Sequence, residues 1–223
     1  TFYQPRLVIM DTATLRTLPP REWKAGLAEV IKYGTIADAA FFAYLEKHLD
    51  ALLQQDADIV RHVVSRCCEI KAEVVARDER ESGLRRILNF GHTVGHAIES
   101  WSGYRRYLHG EAVAIGMVQE AELAWSMGLC SRDVPIRQRE LVRRAGLPDR
   151  LPSITFSDLW AAMQHDKKVA QGAVHCVLPR AIGEVTVAPL SRSLVGQWFR
   201  MNRTNHPATH RRAIGSTRLA TSS

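Results

Sequence analysis

The chain has 223 residues, of which 46% are hydrophobic and 24% charged, with 14 Gly and 9 Pro. These values exclude a collagen-like, low-complexity or disulfide-framework chain and suit a globular protein able to bury its own core. The net charge of +7 belongs to the C-terminus: Val185 to Ser223 hold six arginines and no acid, and the remaining 24 bases face 23 acids, so the body of the chain offers no nucleic-acid surface.

The longest run without Asp, Glu, Lys or Arg, Ile87 to Ile98, contains two histidines and falls short of the ~20 apolar residues that cross a bilayer. Four cysteines (Cys67, Cys68, Cys130, Cys176) show no CxxC spacing and are expected reduced and mostly buried. Reduced thiols fit a cytoplasmic location, which is expected; the first residues lack the basic start and apolar centre of a signal peptide and also an initiator Met.

In chain order, Arg6 to Met10 is a short apolar run expected to form a buried strand. Leu18-Pro19-Pro20 breaks the chain and opens a helix. Helices are predicted near 21–33, 38–54, 57–77, 85–101, 110–128, 135–145 and 157–164. Breaks fall at Gly34, Gln55-Asp56, Ser82-Gly83, Gly103, Gly128 and Gly146-Leu147-Pro148. Ala173 to Leu178 and Glu184 to Val187 are predicted to form a small hairpin. Residues 1–190 are taken as one mainly α domain with a short strand near its start and the hairpin near its end. Residues 191–223, rich in Ser, Thr and Arg, are taken as a disordered basic tail, with at most a short helix through Trp198.

The most informative segment runs from Arg85 to Glu99. Arg85, Asn89, His92, His96 and Glu99 recur at spacings of 4, 3, 4 and 3, which would put all five on one helix face where a core-facing helix needs apolar residues. A His pair one turn apart can chelate one metal ion or divide into a ligand and a proton carrier, or can simply be solvated. His109 heads a strongly apolar helix after a short loop, and Glu29 is a lone acid in the apolar stretch Gly26 to Gly34. Glu29, His92 and His109 together would make a three-ligand Zn²⁺ site with an open position. Glu29 could equally pair with Lys32 on the surface. Lys32, Lys71, Arg85, Asn89 and the Asp166-Lys167-Lys168 loop could line a basket for an anion carrying carboxylate and phosphate groups.

Ordered blocks over most of the chain carry a family resemblance. They are Phe2 to Pro5, Leu18 to Glu22, Gly26 to Gly34, Ile70 to Val75, Asp78 to Arg85, Leu88 to Glu99 and His109 to Met117. Across Thr1 to about Leu190 the chain resembles the C-terminal part of the 3-dehydroquinate synthase family. The resemblance implies a metal, Zn²⁺ or Co²⁺, on Glu29, His92 and His109. It also implies catalytic roles for His96, Lys32 and Glu81, and substrate contacts from Lys71, Arg85, Asn89 and Lys167 or its neighbour Lys168. The implied reaction, in the shikimate route to chorismate and the aromatic amino acids, converts 3-deoxy-D-arabino-heptulosonate 7-phosphate into 3-dehydroquinate and phosphate, with NAD⁺ reduced and reoxidised in one turnover. The implied enzyme is a cytoplasmic carbon–oxygen lyase, a homodimer at full length, with a sugar phosphate as its partner and neither nucleic acid nor membrane.

No GxGxxG or GGG occurs in these residues. The chain is therefore expected to be the C-terminal half of a longer enzyme, without its NAD-binding domain and inactive alone. Three other readings compete. A sister sugar-phosphate cyclase making an inosose or valiolone would share the metal triad, but Arg85 with Lys71 favours a substrate carboxylate. A metal-dependent polyol dehydrogenase would place Asp and more histidines among its ligands. A catalytically silent metal-binding fragment would differ from all of these in failing to bind NAD⁺.

Overall fold

A proline and short acids set where the first helices begin, and the computed structural model describes residues 6–78, 83–165 and 174–205. A 3-10 helix, Thr12–Thr17, leads to α1 (Pro20–Ala37), which has proline at its first position, where a missing N–H costs nothing. Helix α2 (Ala39–Leu53) is capped by Asp38, whose carboxylate accepts from Phe41 N at 2.9 Å. Helix α3 (Ala57–Arg77) is capped by Asp56, which accepts from Asp58 and Ile59 N, both at 3.1 Å. A second 3-10 helix, Leu84–Asn89, precedes α4 (His92–Trp101). Then come α5 (His109–Ser126), α6 (Asp133–Arg144) and α7 (Phe156–His165). Strands β1 (Val174–Ala181) and β2 (Glu184–Leu190) pair antiparallel with Val177 opposite Val187, and α8 (Arg192–Asn205) follows.

Helix α5 is the axis of the molecule. Its residues from Ala112 to Ala121 are buried all round, as an apolar helix without a polar face requires. On one side lies a core that includes Leu27, Ile31, Phe42, Leu45, Met117 and Leu141. On the other lies a second core with Ile98, Ile115, Trp160, Leu178 and Phe199. The hairpin tip is tied to α1 by Gly183 N, which donates to Thr35 O at 2.9 Å.

The mainly α class with its late hairpin agrees with the sequence, and four local expectations change. Residues 6–10 are not a strand: Leu7, Val8, Ile9 and Met10 are exposed and, among the described residues, no strand lies beside them. Gly34 does not end its helix, because its missing side chain lets the backbone of Phe42 approach, and α1 runs on to Ala37. The single helix expected over 85–101 is two pieces, broken at Phe90 and at Gly91, whose φ of +81° is costly for any residue with a side chain. Arg85 and Asn89 therefore leave the face that His92, His96 and Glu99 share. Residues 192–205, counted with the tail by sequence, form α8 because Val195, Trp198 and Phe199 recur at helical spacing and are buried; residues 206–223 lie outside the described residues. Of the cysteines only Cys176 is fully buried; all four are free thiols.

Helices α4 and α5 touch through glycine. A side-chain carbon on Gly116 would lie 1.9 Å from Gly91 O. Helix propensity alone would make Gly116→Ala stabilising by about 1 kcal/mol. The clash instead predicts a loss of about 2–3 kcal/mol, read from denaturant unfolding; a neutral or stabilised variant would contradict the close crossing.

Candidate metal centre

Three helices each bring one donor to a common point. Glu29 comes from the third turn of α1, His92 from the first residue of α4 and His109 from the first residue of α5. One donor atom from each lies within 4.8 Å of the others. Glu29 Oε2 takes the ammonium of Lys32, which is buried. Glu29 Oε1 is buried and has no hydrogen-bond partner among the described residues. It faces His92 Nε2 at 3.5 Å and His109 Nε2 at 3.9 Å.

The protonation of His92 decides what that means. Burial, and then the nearby charge of Lys32, push its pKa down from 6.5 to about 4, so the ring is neutral at physiological pH. Its Nδ1 lies 3.1 Å from Phe90 O, which places the one ring proton on Nδ1 and leaves a lone pair on Nε2. Nε2 and the orphaned carboxylate oxygen thus present lone pairs to each other, an arrangement that repels unless a cation lies between them. Two imidazoles and a carboxylate are the donor set of a catalytic Zn²⁺ or Co²⁺ site. The residues present fit such an ion.

The outer contacts agree. His109 Nδ1 lies 3.3 Å from both oxygens of Glu99, a buried carboxylate that holds the ring so that Nε2 looks toward Glu29. Glu111 fixes the start of α5: it accepts from Leu108 N at 3.0 Å and takes a two-pronged contact from Arg21, at 2.7 and 2.6 Å. That pairing holds the Glu111 carboxyl below its usual range. The His109 side chain is 50% exposed and that of His92 only 14%, so the centre opens on the His109 side.

His96 lies beside the triad, with its ring 5.2 Å from that of His92 and 5.9 Å from that of His109. His96, Glu99 and His109 form a second group with donor atoms within 4.8 Å, but it shares His109 with the first. Lys71 is exposed on α3 one turn beyond Cys67, a thiol whose pKa is pushed up to about 12 by burial first and by Cys68 and Glu29 after it. Arg85 and Asn89 sit on the 3-10 helix packed against α1 and α3, beside the α4 start rather than on α4. Glu81 and Lys167 lie outside the described residues. Sequence reasoning missed Glu99 as the partner of His109, although it stood in the polar stripe. It also missed Glu120, an acid inside an apolar helix, which is the same signal that marked Glu29.

Residues 26–169 match the 3-dehydroquinate synthase C-terminal family. The chain belongs to the 3-dehydroquinate synthase family. It is 53% identical over 187 residues to a 3-dehydroquinate synthase of Desulforamulus reducens, covering 83% of this chain and 52% of that one. A 3-dehydroquinate synthase of Pseudoalteromonas atlantica is 50% identical over 187 residues, 83% of this chain and 53% of that one. The chain thus spans about half the length of these relatives. Among solved structures it is similar to the 2-epi-5-epi-valiolone synthase ValA of Streptomyces hygroscopicus, solved with NAD⁺ and Zn²⁺. The TM-score there is 0.78 at 29% identity, over 87% of this chain and 55% of that one. A 2-deoxy-scyllo-inosose synthase complexed with carbaglucose-6-phosphate, NAD⁺ and Co²⁺ gives a TM-score of 0.78 at 25% identity, over 90% and 57% of the two chains.

The neutral Nδ1–H form of His92 is directly checkable in the metal-free chain. Long-range nitrogen–proton spectra should show that tautomer at pH 7 and no protonation until the pH nears 4. Because the folded value lies below the ordinary 6.5, this ring's contribution to stability should be lost as pH falls from 6.5 toward 4. A ring that titrates near 6.5 would contradict the buried, carbonyl-tethered geometry.

Proposed function

We propose that this chain is the metal- and substrate-binding half of a 3-dehydroquinate synthase, a carbon–oxygen lyase of the shikimate pathway. In that reading, 3-deoxy-D-arabino-heptulosonate 7-phosphate becomes 3-dehydroquinate and phosphate. The observation that carries it is the orphaned Glu29 oxygen facing two imidazole nitrogens, in a chain 83% of which aligns with synthases of that name at 50–53% identity. The identity of 50–53% to those enzymes, against 25–29% to the valiolone and inosose synthases, favours the dehydroquinate substrate.

Glu29, His92 and His109 hold the metal. When bound, Zn²⁺ or Co²⁺ supplies the Lewis acidity that loosens an alcohol proton, and NAD⁺ accepts a hydride and returns it within one turnover. Lys32 neutralises Glu29 and, from the same helix face, offers its charge to the substrate. Lys71, Arg85, Asn89 and Lys167 bind the carboxylate and phosphate ends and fix the ring between them. His96, beside the triad but not in it, moves protons, and Glu81 is a further acid of the site. Residues 1–190 form the metal and substrate unit. The NAD⁺-binding domain is not among these 223 residues, so the chain does not turn over alone. The same reading gives a cytoplasmic enzyme, a homodimer at full length, with no nucleic-acid or membrane partner. Among the described residues, no helix is long and apolar enough to cross a membrane.

Elemental analysis of the chain should find one zinc, with His92→Ala losing it and His96→Ala keeping it. Loss of a donor should weaken zinc binding by well over tenfold, since outer contacts alone are worth about 10- to 100-fold. Calorimetric titration with the heptulosonate phosphate should detect binding to the zinc-loaded chain that Arg85→Ala weakens. Unchanged zinc in His92→Ala, or metal loss in His96→Ala, would contradict the ligand assignment. Substrate binding indifferent to Arg85 would contradict the substrate class.

A further inference from the structure

The glycine contacts between α4 and α5 set how closely the two helices approach, but a smooth glycine face does not fix how far one is slid along the other. His92 is the first residue of α4, so any slide moves it directly. The start of α4 also lacks the usual local anchor: Gly91 at the cap has no side chain to accept from the helix.

That place is taken from the neighbouring helix. Glu120 of α5 is fully buried. Its Oε2 accepts from Gly91 N at 2.6 Å and its Oε1 accepts from Val94 N at 3.1 Å. These are the two donors that a capping box satisfies with two local side chains, the cap N–H and the N–H of the third helical residue. Here one carboxylate, 26 and 29 residues further along the chain, serves both. The two anchored residues bracket His92, and the residue before Gly91, Phe90, is itself fully buried, its carbonyl accepting a hydrogen bond from His92 Nδ1. Glu120 and His109 stand on one helix eleven positions apart, about three turns, and so on nearly the same face. Helix α5 thus carries one donor of the metal centre and, through Glu120, the anchor of another.

We propose that Glu120 is a positioning residue of the metal centre: by capping α4 from α5 it locks the axial position of His92 relative to His109. It acts through the backbone and touches neither metal nor substrate. The inference rests on the metal reading given above.

The test is Glu120→Gln in the full chain, probed with Zn²⁺ in a chelator competition and with Co²⁺ by its visible absorption. The amide keeps one acceptor and turns an NH₂ toward the other backbone donor. The expected result is zinc binding weaker by about 10- to 100-fold, as for other outer-contact losses, together with a changed Co²⁺ band pattern. Val195→Ala, a buried site on α8, supplies a destabilised control that should keep zinc affinity within about twofold and the Co²⁺ bands unchanged, because additivity holds for remote sites. Glu120→Asp keeps both acceptors on a shorter arm and should fall between parent and Gln; it carries the test if the Gln variant does not fold. Parental affinity and bands in the folded Glu120 variants, or an equal loss in Val195→Ala, would overturn the proposal. A parent chain that takes up no zinc would overturn the metal reading instead.

Discussion

Everything in this molecule depends on three helices meeting closer than ordinary side chains permit. A side-chain carbon on Gly110 would lie 1.9 Å from Ala25 O, which joins the start of α5 to α1 one turn before Glu29. One on Gly116 would lie 1.9 Å from Gly91 O, and one on Gly95 would press within 3.2 Å of Ala112 and Val113. Those contacts bring the middle of α1, which carries Glu29, to the first turns of α4 and α5, which carry His92 and His109. With larger residues at the crossings the helices would stand at ordinary distances of roughly 8–10 Å, and three short side chains could not converge.

Close approach brings buried charge with it. Glu29 is tolerated because Lys32, one turn on, gives its carboxylate an ammonium partner, while its second oxygen is left for something else. The same desolvation keeps His92 neutral, which is the form a metal requires. Burial therefore does two things at once: it leaves an unsatisfied acceptor and it keeps the neighbouring ring from satisfying it with a proton. Glu99 behind His109 and Phe90 O behind His92 then aim both rings.

Much of this was legible in the sequence. The proximity of Glu29, His92 and His109 was foreshadowed by a lone acid in an apolar stretch, a histidine in a polar stripe and a histidine heading an apolar helix, and ordered motif blocks showed the family. The missing parts are those that periodicity cannot report. Spacing from Arg85 to Glu99 fits a helix throughout, yet Gly91 must adopt a left-handed backbone so that α4 can pass α5, a tertiary demand with no local signature. Leu7 to Met10 read as a strand, but a strand needs a partner edge and none of the described residues supplies one. Glu120 hid because spacing along its own helix reports only local neighbours, and the Gly91 and Val94 N–H groups it accepts from lie on another.

X-ray absorption of the zinc-loaded chain tests the central claim most directly, since it counts the atoms around the ion without reference to activity. The account predicts a shell of nitrogen and oxygen only, at roughly 2.0–2.2 Å, with the outer scattering of two imidazoles. A sulfur neighbour at roughly 2.3 Å would implicate the cysteines of α3, and one or three imidazoles would contradict the convergence of Glu29, His92 and His109.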